Sequence, residues 1–306
     1  MEVTKLKRKR VRDVGDLIFY ICLVALPLLQ VVIFYFYVNL NSFAMAFQTY
    51  DQIAGTFKWD LGANFSRLWQ ELTKSTILRD AFLNSLYVWV LTAIFGRLLA
   101  ILFSYYIYKK WIFSKFFKFF LFLPSVLPGI LMVIVFKFFA NEAIPGYISE
   151  LLRKTINPLL IGSKTLMPTI YFYNIWVSFG GQILIYTGAM DQISPDIIEA
   201  GKVDGVKTYQ ELFFIVVPMI LPTVATFMIA SVAMLFTDQA SLYAFFGDGV
   251  DYENYTIGYY LFELVNRVGN GKSMYTYASA LGIVCTMIAF PLTLLVRRLL
   301  EGKEEQ

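Results

Sequence analysis

The sequence predicts an all-α membrane protein with six transmembrane helices, and three observations carry that prediction. Of the 306 residues, 58% are hydrophobic and only 16% charged, whereas soluble domains carry about 45–50% apolar and about 25% charged residues. The apolar residues fall into six stretches, near 17–38, 81–107, 116–139, 169–190, 217–238 and 277–296, each long enough for the roughly 20 residues of a spanning helix. The stretches are continuously apolar rather than alternating, which suits helices and not a transmembrane β-barrel. A soluble enzyme and a secreted disulfide scaffold are excluded on the same grounds.

Residues 1–16 form a basic N-terminus with Lys5, Lys7, Arg8, Lys9, Arg10 and Arg12. Because it abuts a span, it reads as a topology signal in contact with anionic lipid, not as a nucleic-acid arm. The first span is too long for a signal-peptide core and lacks a small-residue cleavage site, so it reads as retained. The second carries Arg97, about 15 Å from one end at 1.5 Å per residue. That cation has several readings: pairing with a carboxylate or a backbone carbonyl, snorkelling, or holding an anionic substrate. The third contains Pro124 and Pro128, which should bend it because each removes a backbone donor, and Lys137, which is expected to snorkel. The loops 39–80, 140–168 and 239–276 lie on one side of the bilayer, with a short one, 191–216, on the other.

Lys and Arg set the direction. With a cytoplasmic N-terminus, the inside segments hold 15 of these residues and the longer outside loops 9, about a three-fold difference in density. Six spans return the C-terminus, 297–306, to the cytoplasm. The chain has no histidine and two cysteines, Cys22 and Cys285. Histidine-based acid–base chemistry is therefore absent, and the cysteines, both inside apolar runs, give no metal spacing and read as buried structural thiols.

Gly271-Lys272-Ser273 looks like the end of a phosphate-binding loop, but Asn266 stands where the motif needs a glycine and no strand precedes it. Nucleotide binding is not expected. The loop 191–216 is more informative. Ser194 can cap a helix that has Pro195 in first position, Asp196 and Glu199 suit its positive end, and Gly205 can supply the left-handed turn that ends it. A second short helix from Lys207 would then run to Pro218, which opens span five. As it stands, this helix–turn–helix is either a surface-lying amphipathic connector or a docking site.

The residues Glu199-Ala200-Gly201, then Asp204-Gly205, then Ile215-x-x-Pro218 resemble the cytoplasmic loop of ABC-importer permeases, with Gly201 in place of a second Ala and Val217 in place of Leu. Ser42-Phe43, Gly62-x-Asn64-Phe65, Asn84-Ser85-Leu86 and Thr256-Ile257-Gly258-Tyr259-Tyr260 resemble loop and span segments of the sugar-type members. The resemblance implies the type I importer permease fold. It also implies a role for the loop as a coupling helix seated on a cytoplasmic ATPase, with Glu199 as ionic anchor, Ala200 and Gly201 allowing close approach, Gly205 making the turn and Asp204 among the coupling residues.

Two polar stripes lie on successive spans at helical spacing: Asn174, Ser178 and Gly181, with Gln182 beside them, and Ser231, Leu235 and Asp238. Such faces either line one cavity or serve helix–helix packing. Asn174-Ile175-Trp176-Val177-Ser178 and Ile229-Ala230-Ser231 are similar to segments of maltose-type permeases. There, the positions matching Val177, Ser178, Gly181, Ser231, Leu235 and Asp238 line the sugar site. The pocket implied here differs in size and polarity from that of a maltose permease.

The expected function is therefore a permease subunit of a carbohydrate-uptake ABC importer in a prokaryotic cell membrane. Its expected partners are a second permease, two ATPase subunits and an extracytoplasmic solute-binding protein. No cofactor is expected in this chain, since ATP and Mg would be bound by the ATPases. A polyol phosphate is an alternative substrate. An ion-driven secondary transporter would need an inverted repeat and several mid-membrane carboxylates, for which Asp238 alone is poor support.

Overall fold

A computed structural model describes residues 14–162, 164–266 and 271–301; most of the basic N-terminus and the end of the C-terminal tail lie outside the described residues. In chain order the elements are α1 (Val14–Ala46), β1 (Gln48–Asp51), β2 (Thr56–Trp59), α2 (Ala63–Lys74), α3 (Thr76–Tyr108), α4 (Ser114–Val126), α5 (Gly129–Leu152), α6 (Leu166–Met190), α7 (Pro195–Val203), α8 (Thr208–Ala233), α9 (Leu242–Phe246), α10 (Ile257–Asn266) and α11 (Ser273–Glu301). Five of these, α1, α3, α5, α8 and α11, are long and apolar enough to cross a membrane. The chain divides into two compact units, residues 1–66 with 271–283 and residues 67–270 with 284–306.

In the first unit, α1 runs through a π-helical stretch, Val31–Tyr37, that follows Pro27. Proline lacks the donor for the α-helical ladder, and a wider turn nearby accommodates the defect. None of the residues of α1 up to Tyr37 is buried, and Cys22 is exposed, which corrects the expectation of a buried thiol there. β1 and β2 pair antiparallel, with Asp51 opposite Thr56, and Gly55 closes the turn at φ +67°. The Asn64 side chain donates to the carbonyls of Ala46 and Gln48, which ties the hairpin to the end of α1. Lys272 of the apparent phosphate-loop motif sits 5.4 Å from the centre of the Tyr50 ring.

Asp51 organises the hairpin turn. Its carboxylate accepts from Lys58 Nζ at 2.6 Å and from the Ile53 and Ala54 amides. These partners, Lys58 first, hold its pKa down at about 2 from an ordinary 3.8. A lowered carboxylate pKa means that the turn is fully supported above pH 3.8 and loses that support as pH falls through 2. Hydrogen-exchange protection of the Ile53 and Ala54 amides is expected to be flat above pH 4 and to fall below it, and Asp51→Asn should remove the pH dependence.

In the second unit, α3 packs along α6. Ser104 Oγ donates to Ile183 O at 3.1 Å in a buried position, and Ala100, Ile107, Phe179, Ile183 and Tyr186 form a shared core. α4 reaches α6 through a close approach at Gly180: a Cβ there would lie 2.6 Å from Leu121 O. The expected third span, 116–139, is not one helix. Leu127 and Pro128 are extended, and Pro128 caps α5, because proline forces its predecessor out of the helical region. Lys137, expected to snorkel, donates to Phe245 O at 2.7 Å, beside an aromatic cluster of Phe136, Tyr173 and Phe245.

α6 is 25 residues long, yet it is not among the five helices apolar enough to cross a membrane, since Asn174, Ser178 and Gln182 lie on it. The short helix expected from Lys207 does not stop at Pro218. α8 is continuous from Thr208 to Ala233, and a π-helical stretch, Glu211–Val216, precedes the proline. The carbonyls ahead of Pro218 are thereby freed from a bond that it cannot make.

Candidate functional site

A cavity of ≈ 190 Å³ opens between α3, α6 and α8. Its walls come from Ser85, Trp89, Thr92 and Arg97 of α3, from Asn174, Ser178 and Gln182 of α6, and from Ser231, Leu235 and Asp238 on and beyond α8. Six of the eight residues expected on a substrate path are thus brought together. The other two are not in the lining. Val177 is half-buried elsewhere on α6, and Gly181 is turned to α4, with a Cβ position 3.8 Å from Ser125 Cβ.

Several of the polar groups are partly committed. Asn174 Nδ2 donates to Ile170 O and, at 3.0 Å, to Ala240 O. Ser231 Oγ donates to Met228 O and accepts from Trp89 Nε1 at 3.3 Å. Gln182 Oε1 accepts from Tyr186 Oη. Asp238 Oδ1 accepts the Ala240 amide at 2.8 Å. The remaining capacity is an amide oxygen at 174, an amide NH2 at 182 and a carboxylate oxygen at 238. This inventory suits hydrogen bonding to a hydroxyl-rich ligand, and Trp89 adds a ring face.

Trp89 was not placed on a cavity by the sequence, and Arg97 was placed there only as one of several alternatives. Ser85, Trp89 and Thr92 repeat at i, i+4 and i+7, the spacing that identified the other two stripes. Arg97 is off that spacing by one residue. The helix is π-helical over Thr92–Gly96, where the bonded partner is five residues on, and this turn brings Arg97 onto the face of Thr92. Gly96 lets α3 sit against Ser178, whose Oγ would lie 2.6 Å from a Cβ at 96.

Two wall residues, Ser85 and Asp238, are tied to the start of α10. Thr256 caps α10: its Oγ1 accepts from the Tyr259 amide and donates to Asp238 O. The Ile257 amide donates to buried Ser85 Oγ at 2.8 Å, and Asn84 Nδ2 donates to the carbonyls of Glu253 and Tyr255.

The loop at the start of α8 has a defined shape. Pro195 opens α7, but Ser194 makes no side-chain cap bond, so the expected cap is absent. The helix ends in a Schellman turn: the Val206 amide bonds Gly201 O, the Gly205 amide bonds Lys202 O, and Gly205 takes φ +76°. Ile198 is buried with Tyr105, Met190, Ile193, Leu212, Val216 and Ile220. Gly201 is also buried, and the approach it permits is internal: a Cβ would lie 2.9 Å from Ile215 Cδ1. The exposed face carries Glu199, Ala200, Asp204 and Gly205. Lys109 Nζ at the end of α3 pairs with Glu211 at 2.8 and 3.0 Å, and Tyr105 Oη donates to Thr208 O.

The chain is similar to several known proteins. Over 272 residues it is 26% identical to the galactooligosaccharides transport system permease protein GanP of Bacillus subtilis, a match that covers 83% of this chain and 63% of that one. It is 23% identical over 176 residues to the multiple sugar-binding transport system permease protein MsmF of Streptococcus mutans, covering 57% and 59%. The chain therefore spans less than two thirds of the length of these relatives. Among solved structures, the fold matches a chain of a bacterial ABC transporter involved in the import of the acidic polysaccharide alginate, with TM-score 0.78, 20% identity and coverage of 94% of this chain and 96% of that one. The pattern of binding-protein-dependent transport system inner membrane components matches residues 92–302. That match takes in Thr92 and Arg97 of α3, the cavity residues of α6 and α8 and the 191–216 loop, and the chain belongs to this family of inner membrane components.

Proposed function

We propose that this chain forms half of the translocation pathway of an ATP-driven, binding-protein-dependent importer of a carbohydrate. Six helices span the membrane in this reading, with α6 as the sixth and both termini in the cytoplasm. α6 is about 37 Å long at 1.5 Å per residue, and its low apolarity comes from residues turned to the cavity rather than to lipid. The Lys/Arg bias supports the orientation. The names of the relatives, which refer to galactooligosaccharides and multiple sugars, support a sugar over a polyol phosphate, as do the amides and hydroxyls of the cavity. The partners are a second permease, two ATPase subunits that bind ATP and Mg, and an extracytoplasmic solute-binding protein.

The observation that carries the proposal is the two-faced build of α7. One face is locked into a core shared with α3, α6 and α8. The other offers Glu199 and Ala200 to solvent, with Val203 87% exposed at its end. A push on such a helix moves the ends of three membrane helices together. Glu199 supplies the ionic anchor to an ATPase, Ala200 the thin surface, and Gly205 the turn that holds the helix at its angle. Gly201 acts from the inner face by seating α7 on Ile215. Transport follows when ATP-driven closure of the ATPases favours one arrangement of the helices over the other.

The test is the assembled importer in proteoliposomes carrying Glu199→Arg or Gly205→Asp. Both variants should insert and assemble at normal levels, and ATP-driven uptake should fall at least about ten-fold, the effect of about 1.4 kcal/mol in coupling. Normal uptake in both would refute the coupling role.

A further inference from the structure

Arg97 is the least explained residue of the cavity. It lines the cavity wall and is 6% exposed, and its guanidinium stays charged at any physiological pH. Its one hydrogen bond among the described residues runs from Nη2 to Phe227 O at 2.8 Å, and its Nε is buried without a partner. No carboxylate lies within ion-pair distance of it among the described residues. The lining contains one acid, Asp238, which lies beyond the last residue of α8, whereas Arg97 is bonded to Phe227 within that helix. Asp238 is bonded through its carbonyl to Thr256, and Arg97 follows Gly96, which packs against Ser178. The lining thus carries one cation and one acid that are not paired with each other.

A buried cation without a counterion carries a large desolvation penalty, which a purely structural tie to one carbonyl does not offset. The guanidinium fork is shaped to take the paired oxygens of an oxyanion. We infer that Arg97 is the specificity-determining residue of this cavity and that it binds an oxyanion carried on the sugar, a carboxylate or a phosphate. The inference rests on the reading of the chain as a carbohydrate-importer subunit whose substrate passes through this cavity. The π turn at Thr92–Gly96 is the local device that aims Arg97 inward. The nearby Ser178 hydroxyl and Gln182 amide contact the neutral part of the same sugar.

The experiment is equilibrium binding to the whole importer in nanodiscs, without the binding protein, so that its own selectivity does not enter. The probes are trigalacturonate, its carboxyl-reduced neutral counterpart, and glucose 6-phosphate beside glucose. Wild type should prefer at least one anionic probe over its neutral partner by ten-fold or more; preference for the uronide or for the phosphate identifies the oxyanion. Arg97→Gln should cut that preference ratio at least ten-fold, and Arg97→Lys should restore part of it. Equal affinity for charged and neutral probes in wild type, or an unchanged ratio in Arg97→Gln, would overturn the inference while leaving the importer reading standing. Failure to bind any of the four probes would count against the importer reading itself.

Discussion

Gly258→Ala is expected to destabilise the assembled protein by about 3 kcal/mol and to loosen the tie between α10 and the cavity wall. A Cβ at this position would lie 2.5 Å from Asp238 O and 2.6 Å from both the Asp238 carbonyl carbon and Thr237 O. All three are backbone atoms, so no rotamer change relieves the clash. Neither segment is free to move. Thr256 bridges Asp238 O and the Tyr259 amide, and Ser85 holds the Ile257 amide. Shifting α10 outward would stretch several of these bonds, at about 1 kcal/mol each. The matched control is Gly188→Ala. Gly188 lies inside α6 with nothing within 4 Å of its Cβ position, so alanine there should stabilise by up to about 1 kcal/mol through helix propensity. Unfolding midpoints of the two variants in the same detergent should move in opposite directions, and a Gly258→Ala midpoint equal to wild type would mean that the two backbones are not in contact.

What could be read from the sequence depended on the range of the physics involved. Composition and run length give the helices, because the need to satisfy backbone groups in a bilayer is local to each segment. The stripe 231/235/238 was legible because it repeats with the helical period, and the stripe 174/178/181 was legible in part: Asn174 and Ser178 line the cavity with neighbouring Gln182, while Gly181 faces α4. The Gly205 turn was legible because glycine and its neighbours form the whole motif. The α6 helix shows the conflict between two signals: the polar residues that mark a cavity also lower the apolarity that marks a span. The break at Leu127–Pro128 could be placed only roughly, since proline gives the site of a defect and not its size. The sequence left Arg97 open between pairing, snorkelling and an anionic substrate, because a π turn shifts its register by one against the wall residues before it. The closest approaches, Gly180 on Leu121 and Gly258 on Asp238, join different elements and leave no periodic trace.

The same reasoning applies with most force to Lys109 and Glu211, which stand 102 residues apart and carry no mark of each other. Lys109→Met is expected to cost about 3 kcal/mol, because Glu211 is then left as a buried carboxylate, 7% exposed, without its counter-charge. Glu211 opens the π-helical stretch of α8, directly after the turn from α7. The pair therefore pins the end of α3 to the hinge through which motion of α7 would reach the membrane helices. Lys109→Met with Glu211→Leu should recover most of the lost stability, since two apolar groups of similar size replace a desolvated ion pair at little cost. Stability and coupling should then separate. If the charge pair fixes the angle between α7 and α3, the double variant should unfold near the wild-type midpoint yet show less ATP hydrolysis stimulated by the liganded binding protein. A double-mutant cycle on both readouts isolates the pair. Full recovery of both would make the ion pair a fastening that any packed side chains could replace.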